Sequence, residues 1–308
     1  MDKQLTMTRP GMSPAAQAFL DAFPVDHSAT DFSRIKEIRA EISAAQTPAA
    51  ERAVKRHALS MKTSDVDGVI CDHICSASGG VANGTLFYLF GGGFISGSPY
   101  CDLPIIGALA ERCGVEVIAP RYRLAPEYPA PAAAEDCLAA WRAVAATVRG
   151  PLVLAGESAG GNLSLLTAQH ALAADIRLPD AIALLSPAVD LRTDARLFEP
   201  TRNSDPTLVP GRVQEVAGAY APGRNLEDPS VSPLFGPLEG LPPVMITTGT
   251  RDLLMPMSLR LERQLRRVGV NVECRVWEGM WHVFEYYDGY PEAEESLAEI
   301  AEFLSRHL

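Results

Sequence analysis

Ser158 lies at the centre of a Gly-x-Ser-x-Gly pattern within the stretch PLVLAGESAGGN, residues 151–162. The apolar residues 152–154 predict a buried strand, and after Gly160 leucines and alanines recur at helical spacing. Strand, sharp turn and helix are the context in which a serine hydroxyl is lifted clear of the backbone as a nucleophile. Small residues at an ordinary tight turn produce the same pattern, so this interpretation depends on the rest of the chain.

A serine hydroxyl needs a base that removes its proton. We favour His282, because it lies just beyond the last predicted strand and before the terminal helix, where the histidine belongs in the chain order serine, acid, histidine. His307 is at the terminus, and His170 is too far along the helix after Ser158 to reach back. The alternative for any of them is a surface or satisfied core histidine. The candidates considered are His27, His57, His73, His170, His282 and His307.

The acid that orients this histidine is expected after another strand. Asp252 closely follows a predicted strand over 244–248, and its role would be to fix the imidazole tautomer and stabilise imidazolium. Glu278 is the rival, but only four residues separate it from His282. Otherwise Asp252 would be a helix-capping or surface acid.

Three glycines, residues 91–93, follow a predicted strand over 85–90. They could cradle a phosphate, but the Gly-Lys-Ser/Thr sequence of a P-loop does not follow. Backbone N–H groups that bind a tetrahedral oxyanion explain them better, together with the N–H of Ala159 after the nucleophile.

The surrounding elements predict an α/β fold, with a mostly parallel sheet covered by helices on both faces. A helix with isoleucines at helical spacing occupies the N-terminal appendage and is expected to end at Thr47-Pro48. Residues from 190 to about 229 fit no strand, and we interpret them as an insertion over the carboxyl edge of the sheet. Strands are predicted at 53–62, 67–76, 85–90, 115–119, 152–154, 181–185, 244–248 and 272–277, and helices at 132–147, after 158, at 258–268 and from 291.

The 308 residues are 47% hydrophobic and carry a formal net charge of -11 without any block of Lys or Arg. This charge disfavours nucleic acid and anionic membranes as partners. The amino terminus lacks the apolar core of a signal peptide, and the longest uncharged stretch, 74–101, is broken by seven glycines. We therefore expect a cytoplasmic protein that does not enter the membrane.

Six cysteines are scattered along the chain. Cys71, His73 and Cys75 suggest a metal site, but they lie on a predicted strand with no second ligand pair nearby. We expect reduced thiols and no metal.

Several motifs, in order from about residue 80 to the end, resemble the hormone-sensitive-lipase-like branch of the α/β-hydrolases, the bacterial family IV esterases. They are Phe90-Gly-Gly-Gly-Phe94, Tyr122-Arg-Leu-Ala-Pro-Glu127, Gly156-Glu-Ser-Ala-Gly-Gly-Asn162, Asp252 and Gly279-Met-Trp-His282.

The resemblance implies an α/β-hydrolase fold with an eight-stranded sheet under a helical cap. The cap would consist of N-terminal helices in residues 1–50 and the insertion at about 190–225, and residues 51–308 would form the catalytic domain. It implies no cofactor, and it assigns roles to six residues. These are Ser158 as nucleophile, His282 as general base, Asp252 as orienting acid, and Gly92, Gly93 and Ala159 as oxyanion donors.

The chain departs from the family pattern at three places. Phe90 stands where a histidine usually precedes the glycines; that histidine is thought to anchor the loop, so a hydrophobic anchor could replace it. Glu157 stands where aspartate is commoner. Residues 254–256 are Leu, Met and Pro where a second acid is often found, which leaves Asp252 as the local candidate.

The motif at residues 122–127 is interpreted as structural. Arg123 is predicted to pair with Asp136 beneath the site. The resemblance also suggests a cis Ala125–Pro126 bond.

These features predict a serine-dependent carboxylic ester hydrolase, and the resemblance favours small-molecule esters with short or medium acyl chains. Phe94, Phe198 and Trp281 could line an apolar pocket, although such residues are more often plain core packing. The alternatives are an arylformamidase or other amidase, and a non-catalytic binder of small ligands on the same fold. Family members often pair through the last strand, so a homodimer through residues 272–277 is left open.

Overall fold

The strands of one mixed sheet form the centre of the computed structural model, which describes residues 12–23, 29–78, 84–192 and 194–308. Their order is β1-β2-β4-β3-β5-β6-β7-β8. β2 pairs antiparallel with β1 and β4, and the other neighbouring strands pair in parallel. The strands are β1 (Leu59–Val66), β2 (Val69–Ser76), β3 (Thr85–Leu89), β4 (Glu116–Pro120), β5 (Leu152–Glu157), β6 (Ile182–Leu185), β7 (Val244–Gly249) and β8 (Val272–Trp277).

Helices cover both faces of this sheet. β3, β5, β6 and β7 are buried at every position, which requires cover on each side, and their sequences are accordingly near-continuous apolar runs. The structure confirms the predicted α/β fold with a mostly parallel, eight-stranded sheet. The helices are α1 (Pro14–Ala22), α2 (Ile35–Arg56), α3 (Leu103–Cys113), α4 (Ala132–Thr147), α5 (Ser158–Ala173), α6 (Pro210–Tyr220), α7 (Met255–Arg267) and α8 (Pro291–Ser305).

The N-terminal helix α2 is longer than predicted. The expected stop at Thr47-Pro48 is wrong, because the helix continues through Pro48 to Arg56, and β1 therefore begins at Leu59 and not near residue 53. The Thr47 hydroxyl donates to a carbonyl oxygen one turn back, and the buried alanines Ala50 and Ala53 extend the packed face of the helix. Tertiary packing thus outweighs the local preference of proline, and the boundary predicted at residue 50 falls inside α2.

The sequence patterns did not locate three further helices, α1, α3 and α6. α3 is largely buried and ends at Gly114, which adopts a left-handed conformation. The insertion after β6 contains a 3-10 turn at Ala195–Phe198 and the helix α6, with no strand among its described residues. The division into N-terminal cap helices and a catalytic domain remains a prediction.

The described residues contain no cluster of three or more His, Cys, Asp or Glu side chains arranged to hold a metal ion. His73 contacts Ser64 and Glu116, and the six cysteines are free thiols. Within the same residues, no helix combines the length and apolar character that crossing a bilayer requires.

Candidate active site

Ser158 lies on the turn between β5 and α5 with φ at +51°, a left-handed conformation that is strained for a residue with a side chain. Two glycines make this turn possible. A Cβ on Gly160 would lie 1.9 Å from the Leu89 carbonyl oxygen, and one on Gly156 would lie 2.5 Å from the Gly160 carbonyl oxygen. The backbone can therefore turn sharply and present the Ser158 hydroxyl above the carboxyl ends of the parallel strands.

The hydroxyl of Ser158 is in hydrogen-bond contact with His282. The Oγ of Ser158 lies 2.9 Å from His282 Nε2, and His282 Nδ1 lies 3.0 Å from Asp252 Oδ1. With the proton on Nδ1 donated to Asp252, Nε2 is free to accept the proton of Ser158. The structure thus brings together the three residues that the sequence nominated.

The loops that carry Asp252 and His282 are joined by main-chain hydrogen bonds. Arg251 N–H donates to the Met280 carbonyl at 2.9 Å, and Thr250 N–H donates to the Trp277 carbonyl at 2.9 Å. These bonds follow directly from the parallel pairing of β7 and β8, whose carboxyl ends meet at one edge of the sheet.

Asp252 is completely buried and has hydrogen bonds to both carboxylate oxygens. Oδ2 accepts from Thr248 Oγ1 at 2.8 Å, and Oδ1 accepts from Leu254 N–H at 2.9 Å. Burial alone would raise the pKa of Asp252, but the positive charge of His282 and the hydrogen bonds from His282 and Leu254 N–H lower it below its ordinary value. Asp252 therefore stays a carboxylate beside the imidazole.

The pKa of His282 is shifted in the opposite direction. Burial opposes its protonation, but the charge of Asp252, their hydrogen bond and the charge of Asp205 raise the pKa of His282 above its ordinary value. This environment stabilises imidazolium, the form that exists after the histidine has taken a proton.

Asp205, in the insertion, was not predicted as a site residue. It is buried, and its Oδ2 accepts the N–H of His282 at 3.2 Å and that of Leu253 at 2.9 Å. Its Oδ1 accepts from Thr207 N–H and Leu208 N–H. Burial and the charge of Asp252 raise the pKa of Asp205. The sequence shows only an Asp-Pro pair in an irregular segment, which carries no signal of this long-range contact.

The competing candidates lie away from Ser158. Glu278 is exposed, His57 pairs with Glu111 at 2.6 Å, and His307 packs against Phe303. His170 lies on α5, and burial lowers its pKa. His27 lies outside the described residues.

The glycine loop after β3 is shaped to expose N–H groups. Gly92 and Gly93 have φ values of +95° and +64°, and the Gly92 carbonyl accepts from Ile95 N–H, Ser96 N–H and Ser96 Oγ, which closes the loop. Across the described residues, the N–H groups of Gly92, Gly93 and Ala159 donate to no backbone carbonyl. They are therefore available to a ligand oxygen near Ser158.

Phe90 anchors this loop by aromatic stacking. Its ring lies 4.1 Å from that of Tyr122, at an interplanar angle of 9°, and the Tyr122 hydroxyl donates to the Phe90 carbonyl at 2.6 Å. A hydrophobic residue is thus well accommodated where the related family has histidine.

The three aromatic residues nominated for a pocket are all buried in packing contacts. Phe94 stacks on Tyr220 of α6 with centroids 3.8 Å apart, and Trp281 stacks on Phe19 of α1 at 4.4 Å. Phe198 lies in the main core. Phe94 therefore packs the glycine loop against the insertion, and Trp281 packs the His282 loop against α1. A pocket-lining role for these three residues stays a prediction.

The ion pair predicted between Arg123 and Asp136 is present. The Arg123 guanidinium pairs with Asp136 at 2.8 Å, and the backbone N–H of Arg123 donates to the same carboxylate at 2.8 Å. The Ala125–Pro126 bond is cis, as the resemblance suggested.

Known hydrolases are similar to this chain in sequence. Residues 86–286 match the model of a family with the alpha/beta hydrolase fold. An acetyl-hydrolase of Streptomyces hygroscopicus is 33% identical over 71% of this chain and 75% of its own length. A carboxylesterase of Mycobacterium tuberculosis is 31% identical over 87% of each chain.

A solved structure extends the likeness to three dimensions. An esterase from the bacterial hormone-sensitive lipase family superposes with a TM-score of 0.79 at 28% identity, covering 91% of this chain and 99% of that one. The chain therefore belongs to the hormone-sensitive-lipase-like esterases of the α/β-hydrolase superfamily and is a carboxylic ester hydrolase.

Proposed function

We propose that Ser158, His282 and Asp252 hydrolyse esters through an acyl-enzyme intermediate. The observation that supports this most directly is the chain of contacts from Ser158 Oγ through His282 to Asp252, at 2.9 Å and 3.0 Å. Ser158 attacks the ester carbonyl carbon while His282 Nε2 takes its proton. Asp252 holds the imidazole in the required tautomer and stabilises its positive charge.

The negative oxygen of the tetrahedral intermediate binds to the N–H groups of Gly92, Gly93 and Ala159. His282 then donates its proton to the departing alcohol, which leaves the acyl group on Ser158. Water repeats the sequence: His282 takes its proton, the hydroxide attacks the acyl carbonyl, and the acid leaves as Ser158 regains its proton.

Short and medium acyl chains are the proposed substrates. The family likeness and the acetyl-hydrolase name of one relative support this choice. The stacking of Phe94 on Tyr220 fills space next to the glycine loop, which also supports acyl chains of limited length.

The test compares hydrolysis of p-nitrophenyl acetate, butyrate, octanoate and laurate by the wild type and by Ser158→Ala and Asp252→Asn. We expect an optimum below the twelve-carbon ester, a loss on the order of 10⁶-fold in Ser158→Ala and on the order of 10⁴-fold in Asp252→Asn. An optimum at laurate would contradict the chain-length proposal. Folded wild type without turnover of any ester, or with faster turnover of anilides, would favour the binder or the amidase respectively.

A further inference from the structure

Two buried carboxyl groups lie directly behind the proposed oxyanion loop and take no part in the mechanism above. Glu157 ends β5, immediately before Ser158, and Asp102 immediately precedes α3; each is 6% exposed. A hydrogen bond joins the two carboxyl groups, and the Tyr88 hydroxyl donates to Asp102 Oδ2 at 3.0 Å. A bond between two carboxyl groups requires that one of them carries a proton.

The position of Asp102 indicates that its carboxyl is not used as a helix cap. An aspartate at this position normally accepts an N–H of the first turn, yet the Asp102 side chain makes no such bond. It turns instead towards Tyr88 and Glu157. The positive end of the α3 dipole and the donors around Asp102 favour the negative charge there, which places the shared proton on Glu157.

Gly91 connects this pair to the loop. Its N–H lowers the pKa of both carboxyl groups, as a hydrogen-bond donor does. A Cβ added to Gly91 would lie 1.9 Å from Glu157 Oε1, so Gly91 is in close contact with that carboxyl. The next two residues are Gly92 and Gly93, whose N–H groups donate to no backbone carbonyl within the described part of the chain. A change at the pair would therefore rotate the peptides that present these N–H groups.

We propose that Asp102 and Glu157 are positioning residues for ester hydrolysis: they share a proton, hold the N–H of Gly91, and thereby aim the N–H groups of Gly92 and Gly93 at the oxyanion. This inference rests on the proposed function of the loop. It also explains why a glutamate here can be functional where aspartate is commoner, since the longer side chain reaches across to Asp102.

The surroundings of the pair keep its proton in place at neutral pH. Burial raises the pKa of Asp102 to about 7, and burial together with the charge of Asp102 raises the pKa of Glu157 well above its ordinary value. Neither carboxyl pairs with a Lys, Arg or His within the described residues. The other ionisable groups that act on the pair within the described residues are Tyr88, Tyr122, Glu285 and Tyr286. The Tyr88 hydroxyl donates to Asp102 and lowers its pKa, whereas the charge of Glu285 raises the pKa of Glu157.

Loss of the last shared proton at alkaline pH would place two negative charges together, and their repulsion would separate the two carboxyl groups between which Gly91 is held. The base His282 acts in its neutral form, so it causes loss of activity on the acidic side only. A decline of kcat at alkaline pH would accordingly come from another group. We assign it to the pair of Asp102 and Glu157, because this pair contacts Gly91 of the loop.

The experiment measures kcat and KM for p-nitrophenyl butyrate against pH in wild type, Glu157→Gln and the control Glu302→Gln, an exposed glutamate on α8. The side-chain amide of Glu157→Gln can still donate to Asp102 but has no proton to lose. We expect wild type and the control to lose kcat at alkaline pH with little change in KM, and Glu157→Gln to hold its kcat there. Asp102→Ala, which removes the pair, should lose kcat on the order of 10²-fold at neutral pH.

Hydrogen exchange in the peptide containing residues 90–97 supplies a readout that does not need turnover. At alkaline pH this peptide should exchange faster in wild type than in Glu157→Gln, after correction for intrinsic rates. Equal alkaline decline of kcat and equal exchange in the two proteins would overturn the inference. If the wild type is inactive, the proposed function is refuted, but the exchange comparison still tests the role of the pair. If Asp102→Ala does not fold, the comparison of wild type with Glu157→Gln is sufficient.

Discussion

The Oδ2 atom of Asp205 accepts the backbone N–H of His282 at 3.2 Å. Through this contact the insertion after β6 reaches the base of the proposed triad, and a second buried carboxylate lies close to Asp252. The histidine is thus held by an acid on its ring and by another on its backbone. The negative charge of Asp205 also contributes to the raised pKa of His282.

The first prediction concerns Asp205→Asn. His282 must be neutral to act as a base, so its raised pKa moves the acidic loss of activity to higher pH. Removing the charge of Asp205 should lower that pKa and shift the acidic limb of the kcat/KM profile to lower pH. The amide group also leaves buried N–H groups without an acceptor, which should cost about 1–3 kcal/mol in the free energy of unfolding.

The matched control is Asp194→Asn in the same insertion, where the carboxylate pairs with exposed Arg196. Its pH profile should coincide with that of wild type. An acidic limb in Asp205→Asn that also coincides with wild type, in a folded protein, would show that the Asp205 charge does not reach the imidazole.

The second prediction concerns the loop anchor. Phe90 is 2% exposed and stacks on Tyr122, and an imidazole can occupy the same space and stack in the same way. Phe90→His should therefore keep kcat/KM for p-nitrophenyl butyrate within about tenfold of wild type. A much larger gain would mean that the natural loop is impaired, and a much larger loss would mean that stacking alone is not what holds it.

Local sequence patterns predicted the site well. The small residues around Ser158 permit the sharp turn whatever the position of the rest of the chain, and the strand predicted at 272–277 coincides with β8. The order of serine, acid and histidine along the chain followed from the parallel sheet, which places Asp252 and His282 on adjacent strand ends.

Contacts between distant segments could not be predicted in the same way. Asp205 and Asp102 each lie in or beside a segment that gave no clear periodic signal, and their partners are set by packing between elements. The continuation of α2 through Pro48 is a similar case. Packing of buried residues such as Ala53 stabilises the helix there, against the local preference of proline.

The third prediction follows from that proline. Pro48 lies inside α2, where it lacks the N–H of a helical residue and crowds the preceding turn. Pro48→Ala should therefore raise the free energy of unfolding by up to about 3 kcal/mol without changing kcat. Urea unfolding of both proteins measures this. An unchanged or lower stability would mean that the helix has fully adapted to the proline through contacts such as that of the Thr47 hydroxyl.

The fourth prediction concerns Glu285, a buried acid next to the site. Its Oε1 accepts from Thr247 Oγ1 at 2.6 Å and from Ser296 Oγ at 2.9 Å, while its Oε2 has no partner among the described residues. Burial raises the pKa of Glu285 above its ordinary value of 4.5. The folded protein therefore keeps a proton that the unfolded chain loses as the pH rises.

This retained proton makes the stability of the folded protein depend on pH. The stability contributed by Glu285 is fully present below about pH 4.5 and is lost as the pH rises through the pKa of the folded state. Glu285→Gln cannot lose a proton, so its stability relative to wild type should improve with rising pH. The gain is about 1.4 kcal/mol for each pH unit between the ordinary pKa and that of the folded state. Urea unfolding between pH 4.5 and 8, with Glu302→Gln as the surface control, measures the difference. A difference that stays constant across this range would mean that Glu285 is already ionised in the folded protein, with its second oxygen hydrated.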